Sequence, residues 1–209
     1  MLLFSREVTL SGSYRQVLPW AIGITEYVNG HSPLEVSCWT ANFGHPIGTM
    51  GWSAVVESEA ELAGATAALI GDSGYLDRLE VGADMTTTPG RDVLRSFVHG
   101  PSGDAIPVGA VASVTTATAM VDRLAEAIGW AVEIGAYVEG VVDAPLAVLT
   151  DVYGTMGGMA WITVQPDMAA AEAARGKLGA DPGYIAKLVE SKGVFIPGTG
   201  HVAQLTRIA

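Results

Sequence analysis

The side chains able to do chemistry in this 209-residue chain are few and scattered. His31, His45, His99 and His201 each stand alone, and no pair has the His-x-x-x-His or Cys-x-x-Cys spacing that brings two ligands to one ion, so no metal is expected. Cys38 is the single cysteine, which excludes an intramolecular disulfide. With no His or Asp in a recognisable relation to it, it reads as a buried thiol in an apolar strand rather than a nucleophile. Proton transfer is the chemistry that remains. Asp151 interrupts the apolar run Leu146 to Tyr153, where a carboxylate needs a partner or a raised pKa, and it reads either as a general base or as a strand-end acid in solvent. His45, in a turn beside Phe43, and His99 and His201, at strand edges, are candidates for an acid or base at a cavity mouth; the plainer reading of each is solvent exposure. His31 follows a helix and reads as surface.

Three suggestive motifs fail on context. Gly71-Asp72-Ser73-Gly74 has the look of a protease nucleophile segment, but a matching stretch later in the chain reads Ala180-Asp181-Pro182-Gly183, so the acid is a helix cap in both. Gly198-Thr199-Gly200 leaves too little chain for the helix and strand of a dinucleotide fingerprint. Gly154-Thr155-Met156-Gly157-Gly158 lacks the Lys-Ser or Lys-Thr of a phosphate loop and reads as a hairpin turn.

That later match belongs to a longer pattern. Pro19 to Gly30 and Gly129 to Gly140 share Trp, Ala, Ile, Tyr, Val and Gly in register, and Trp52 answers to Trp161, Asp72 to Asp181 and Tyr75 to Tyr184. The offset is 110 residues, then 109, as one deletion in the turn after Gly154 would produce. The chain is thus expected to duplicate one unit, with repeats at 1–100 and 107–209 and a polar linker at 101–106. Within the first copy, strands are expected at Leu2–Leu10, Leu34–Phe43, Met50–Val56 and Val93–His99, with helices at Tyr14–Asn29, at Ser58–Ile70 and from Asp72. Pro19 either kinks the first helix or marks its start. The second copy repeats this with strands at Val108–Thr115, Leu146–Tyr153, Met159–Gln165 and His201–Ile208, and helices at Ala117–Val138 and from Asp167 and Asp181.

Composition narrows the class. A chain 49% hydrophobic and 16% charged can bury a sizeable core, and a net charge of -11 argues against nucleic acid and against anionic membrane surfaces as partners. With neither the charged-then-apolar order of a signal peptide at Met1 to Glu7 nor an apolar run long enough to span a bilayer, a cytoplasmic location is expected.

The order strand, helix, strand, strand, helix, strand is a ferredoxin-like unit, an antiparallel sheet with helices on one face and a partly apolar opposite face. Two copies can cover those faces with each other. In this order, and in the Asp181 to Leu188 segment, the chain resembles the dimeric α+β barrel superfamily, which includes antibiotic-biosynthesis monooxygenases, polyketide cyclases, stress-responsive barrel proteins and haem-binding relatives. The resemblance implies an α+β fold in which two tandem βαββαβ repeats build an intrachain pseudo-dimeric barrel. The repeated Trp20, Tyr27, Trp130 and Tyr137 then read as helix-to-sheet packing.

Function is expected inside that barrel. Strand alternation puts Trp39 and Phe43, and Asp151 and Tyr153, on the face opposite the small and branched residues, and the same logic turns Trp52 and Trp161 inward. Ala41 stands where the second copy has Asp151, so the fold does not require the acid. The expected site has Asp151, His45 or His201 abstracting a proton, and Trp39, Asn42, Phe43, Trp52, Tyr153, Trp161 and His99 lining a pocket for a hydrophobic or aromatic small molecule. A cyclase, isomerase or oxygenase without a tightly bound cofactor is the leading expectation. The alternatives are a non-catalytic ligand-binding or assembly-forming barrel, and a haem protein with His201 or His99 as axial ligand. The outer strands and helices stay free for a homo-oligomer.

Overall fold

The computed structural model describes residues 1–100 and 106–209, so the linker expected at 101–106 lies, apart from Ile106, outside the described residues. Strand β1 (Leu2–Thr9) leads into helix α1 (Tyr14–His31); β2 (Ser37–Phe43) and β3 (Thr49–Val56) form a hairpin; α2 (Glu59–Ile70), α3 (Ser73–Ala83) and β4 (Arg91–His99) follow. The second half repeats the order as β5 (Val111–Thr118), α4 (Leu124–Val142), β6 (Leu146–Tyr153), β7 (Gly158–Gln165), α5 (Met168–Ala180), α6 (Pro182–Glu190) and β8 (His201–Arg207).

Local chemistry sets these boundaries. Ser13, Ser58, Asp72, Asp167 and Asp181 each precede a helix and accept a first-turn backbone N–H on the side chain. Pro182 follows its cap at the first helical position, where the missing N–H leaves nothing unpaired, whereas Pro19 is carried inside α1. The helix expected from Ala117 starts later, at Leu124. The β-branched residues Val114, Thr115, Thr116 and Thr118 stay extended because β7 pairs with β5 as far as Thr118 and β8 as far as Thr116.

Each half forms an antiparallel sheet, in the orders β4-β1-β3-β2 and β8-β5-β7-β6. The last strand of each half pairs with the second strand of the other, β4 with β6 and β8 with β2, and the two sheets close into one eight-stranded barrel with no open edge. The helices pack outside. The largest continuous core lies beneath α4, around Ile134, Val138, Val148, Met159 and Trp161.

The repeated aromatic residues tie each half's long helix to the capped helix before its last strand. Trp20 Nε1 donates to the Arg78 carbonyl at 2.8 Å and the Tyr27 hydroxyl to Asp72 Oδ1 at 2.8 Å; Trp130 and Tyr137 do the same to the Lys187 carbonyl at 3.1 Å and Asp181 Oδ1 at 2.8 Å. Gly74 and Gly183 leave room for the tyrosine hydroxyls, which a Cβ at either position would strike. The chain writes this stretch twice because both halves need the same clasp. Among the described residues no helix is long and apolar enough to cross a membrane.

Candidate functional site

Two cavities lie on opposite faces of the first sheet, one inside the barrel and one beneath helices α1 to α3. Both fall in the range of roughly 300–1,000 Å³ usual for small-molecule sites.

The barrel lumen encloses about 560 Å³. Trp39 crosses it opposite Gly51 and donates its indole N–H to Ser53 Oγ at 2.9 Å. Arg95 Nε lies 2.8 Å from Asp151 Oδ1, with the two side chains only 14% and 5% exposed. Asp151 Oδ2 accepts the Thr155 backbone N–H at 2.9 Å and fills the space that Gly154 and Gly158 leave by lacking a Cβ. Both carboxylate oxygens are therefore engaged, and Asp151 secures the β6–β7 turn. Where the hairpins emerge, His45 Nδ1 is 3.2 Å from Glu7 Oε1, and this hydrogen bond holds the Glu7 carboxyl below its ordinary pKa. His201 Nε2 is 2.6 Å from the Gly44 carbonyl, so that nitrogen carries the proton. The two imidazole rings meet edge to face at 5.3 Å.

The second cavity, about 410 Å³, lies between the first sheet and its helices. Phe4, Trp20, Ile24, Trp52, Leu69 and Leu79 supply an apolar wall, with the Trp20 and Trp52 rings edge to face at 5.9 Å. The Trp52 indole donates to Thr25 Oγ1 at 2.9 Å, and Thr25 donates in turn to the Ala21 carbonyl at 2.7 Å, so the buried hydroxyl is satisfied. On this wall Arg6 grips Asp92 in a two-pronged bridge, Nε to Oδ1 and Nη2 to Oδ2, both 2.7 Å. The Asp92 hydrogen bond raises the Arg6 pKa, and the Tyr75 hydroxyl adds to the effect. With side-chain exposures of 41% and 47%, the pair is accessible from the cavity mouth.

The second half has no such arrangement at the matching positions. Arg6 faces Trp52 and Asp92 across its ladders, where Thr115 faces Trp161 and Val202. Thr86 bridges to Leu10 as Phe195 bridges to Ala119, so Thr86 and Phe195 are equivalent. Phe195 fills its site, packing edge to face on Trp130 at 5.3 Å and on Trp161 at 5.8 Å. The first half instead splits its core into two clusters, one around Val17, Cys38 and Met50 and one around Leu34, Val56 and Ala65.

The residues expected to form one site are thus dispersed. Trp39, His45, Asp151 and His201 line the lumen. Trp52 and Trp161, expected inside the barrel, are corrected to the helix side, where Trp161 donates to the Ala131 carbonyl at 3.1 Å as Trp52 donates to Thr25. The deeper helix-to-sheet layer has room for an indole and an acceptor for its N–H. Phe43 and Tyr153 stand beyond the barrel rim, 66% and 59% exposed. The Tyr153 hydroxyl reaches Glu59, and Asn42 donates to Thr206 Oγ1 across the β2–β8 seam. His99 Nε2 lies 3.0 Å from Glu139 Oε2 of α4, away from the lumen, and His31 stacks on Tyr27. Arg6, Asp92, Tyr75 and Thr86 escaped sequence reasoning. Comparing the charged positions of the two copies would have placed Arg6 and Asp92 among the residues without a charged counterpart, together with Glu7 and Arg95.

No family model matches the chain, and no curated protein is similar to it in sequence. Solved structures are similar in fold. The "Putative monooxygenase" of Fusobacterium nucleatum subsp. nucleatum superposes with a TM-score of 0.71 at 9% identity, covering 100% of this chain and 92% of that one. An anthrone oxidase-like protein gives 0.70 at 15% identity, covering 100% and 91%. A heme-degrading enzyme from Listeria monocytogenes gives 0.54 at 7% identity, covering 99% of each chain.

That last likeness overturns the expectation of no cofactor, because the same fold serves a protein that acts on haem. The two histidines proposed as axial ligands do not fit such a group. His99 Nε2 is held by Glu139, His201 Nε2 by the Gly44 carbonyl, and neither residue lines the helix-to-sheet cavity. In topology and in its structural neighbours, this chain has the dimeric α+β barrel fold, closed within a single polypeptide.

Proposed function

We propose that the helix-to-sheet cavity of the first half binds a flat, largely apolar aromatic molecule bearing an oxygen substituent, and that the chain is an enzyme acting on it by proton transfer. The observation that carries this reading is the Arg6–Asp92 pair on a tryptophan wall, at positions where the second half has Thr115 and Val202. A neighbour named as anthrone oxidase-like supports an aromatic substrate.

Each group has a role in such a reaction. Trp20, Trp52 and Phe4 wall the rings and keep water from them. Asp92, whose oxygens each keep a lone pair beyond the Arg6 bridge and whose side chain is 47% exposed where that of Asp151 is 5%, accepts a proton from a ring hydroxyl or from an acidic C–H conjugated with a ring carbonyl. The charge left on oxygen is taken by Arg6, whose remaining guanidinium donors point to no other described side chain except Tyr75. Asp92 also fixes the guanidinium plane, so the oxyanion site exists before the substrate arrives.

Anthrone is the probe for the test. Wild type is expected to bind it and to speed the exchange of its methylene hydrogens with solvent deuterium, with Asp92→Asn binding but exchanging slowly. Binding without turnover would reduce the reading to a ligand-binding protein, and no binding would remove it.

A further inference from the structure

The lumen is unused by that reading, and its walls differ sharply in chemistry. Strands β1 and β4, with the seam to β6, contribute Ser5, Glu7, Arg91, Arg95 and Asp151. Strands β5, β7 and β8 contribute Ala112, Val114, Ile162, Val164 and Leu205. The asymmetry is not a requirement of the fold: by ladder position Val114 answers to Ser5, Ile162 to Ser53, Thr116 to Glu7 and Leu205 to Arg95.

Both oxygens of Asp151 and one of Glu7 are committed, and guanidinium donors are left over. Asp151 gives one oxygen to Arg95 and the other to the Thr155 N–H, and Glu7 is tied to His45. Arg91, across the β1–β4 ladder from Glu7, has only a long 3.4 Å contact to Thr155 Oγ1 among the described residues. The Nη1 of Arg95 makes a similarly long contact, 3.4 Å to Ser5 Oγ. A cavity with one aliphatic wall and surplus guanidinium donors at its mouth suits an amphiphile with a single anionic group.

We propose that the barrel lumen is a second binding site, separate from the helix-to-sheet cavity, for a small amphiphilic carboxylate. The hydrocarbon part lies along Val114, Ile162 and Leu205 and displaces water from them. The carboxylate sits at the mouth against Arg91, beside the His45–His201 pair. On this wall Arg91 and Arg95 balance Glu7 and Asp151, against a net charge of -11 for the whole chain, and apolar contact adds to charge in favouring such a ligand over bulk anions.

The test is calorimetric titration of the full chain with octanoate and, separately, with octan-1-ol. Wild type is expected to take up one octanoate per chain, about tenfold more tightly than the alcohol, as a charge-assisted hydrogen bond implies. Arg91→Gln, an exposed substitution, is expected to erase that margin, and Thr86→Phe, which fills the other cavity, to leave octanoate binding intact. No saturable uptake, equal affinity for acid and alcohol, or loss of octanoate binding in Thr86→Phe would each overturn the proposal.

Discussion

Thr86 and Phe195 occupy the same place in the two halves, each in an isolated bridge to the residue that directly follows the first strand of its unit, and they do opposite things there. Phe195 completes an aromatic trio with Trp130 and Trp161, whose ring centroids lie 5.3 to 6.0 Å apart. Thr86 turns its hydroxyl to the Gly82 carbonyl at 2.9 Å and leaves Trp20 and Trp52 facing a cavity.

Removing the plug should open the second half at a cost in stability. Phe195→Thr is expected to destabilise the chain by about 3–5 kcal/mol, the range for truncating a packed phenylalanine. Urea unfolding followed by tryptophan fluorescence measures it; a loss well under this range would mean that Phe195 is not part of the continuous core.

The Arg6–Asp92 pair separates binding from chemistry. Asp92→Asn keeps the shape of the site and should lower turnover by about 10²–10⁴-fold while leaving ligand affinity nearly unchanged, as expected for loss of a general base. Arg6→Gln should lower both, and comparison of kcat with kcat/KM in the two variants distinguishes the roles.

Asp151 is predicted to act through stability. Its partner Arg95 is buried with it, so Asp151→Asn leaves an uncompensated guanidinium in the lumen. The expected loss is about 3–5 kcal/mol, as for breaking other buried pairs. Binding of an aromatic ligand at the helix-to-sheet cavity should be unaffected once folding is corrected for, which a titration under stabilising conditions checks.

Cys38 should be inert in the native state. It is fully buried beneath α1, and burial pushes its thiol up to about 11, so almost no thiolate exists at neutral pH. Thiol-reactive reagents are expected to label it only after unfolding; rapid labelling of folded protein would contradict this placement.

What the sequence made legible follows from what duplication preserves. Packing residues such as Trp20, Tyr27 and the Asp72 cap recur as Trp130, Tyr137 and Asp181 because both halves need them, so the repeat, the element order and the barrel could be read from one chain. Strand alternation separated the two faces of each strand but did not say which face the lumen takes. On β2 the larger residue, Trp39, points inward, while on β3 Trp52 points outward to Thr25, and only the packed helices decide between them. Arg6 and Asp92 lie 86 residues apart and meet through the β1–β4 ladder, a contact no local pattern encodes.

The most direct test of the central claim copies the second half's plug into the first. Wild type and Thr86→Phe are titrated with anthrone while the fluorescence of the tryptophans, two of which wall the cavity, is recorded. Saturable quenching in wild type, lost in a Thr86→Phe variant that unfolds no more easily than its parent, is the predicted result. Equal affinity in the two proteins would place the ligand elsewhere and contradict the account.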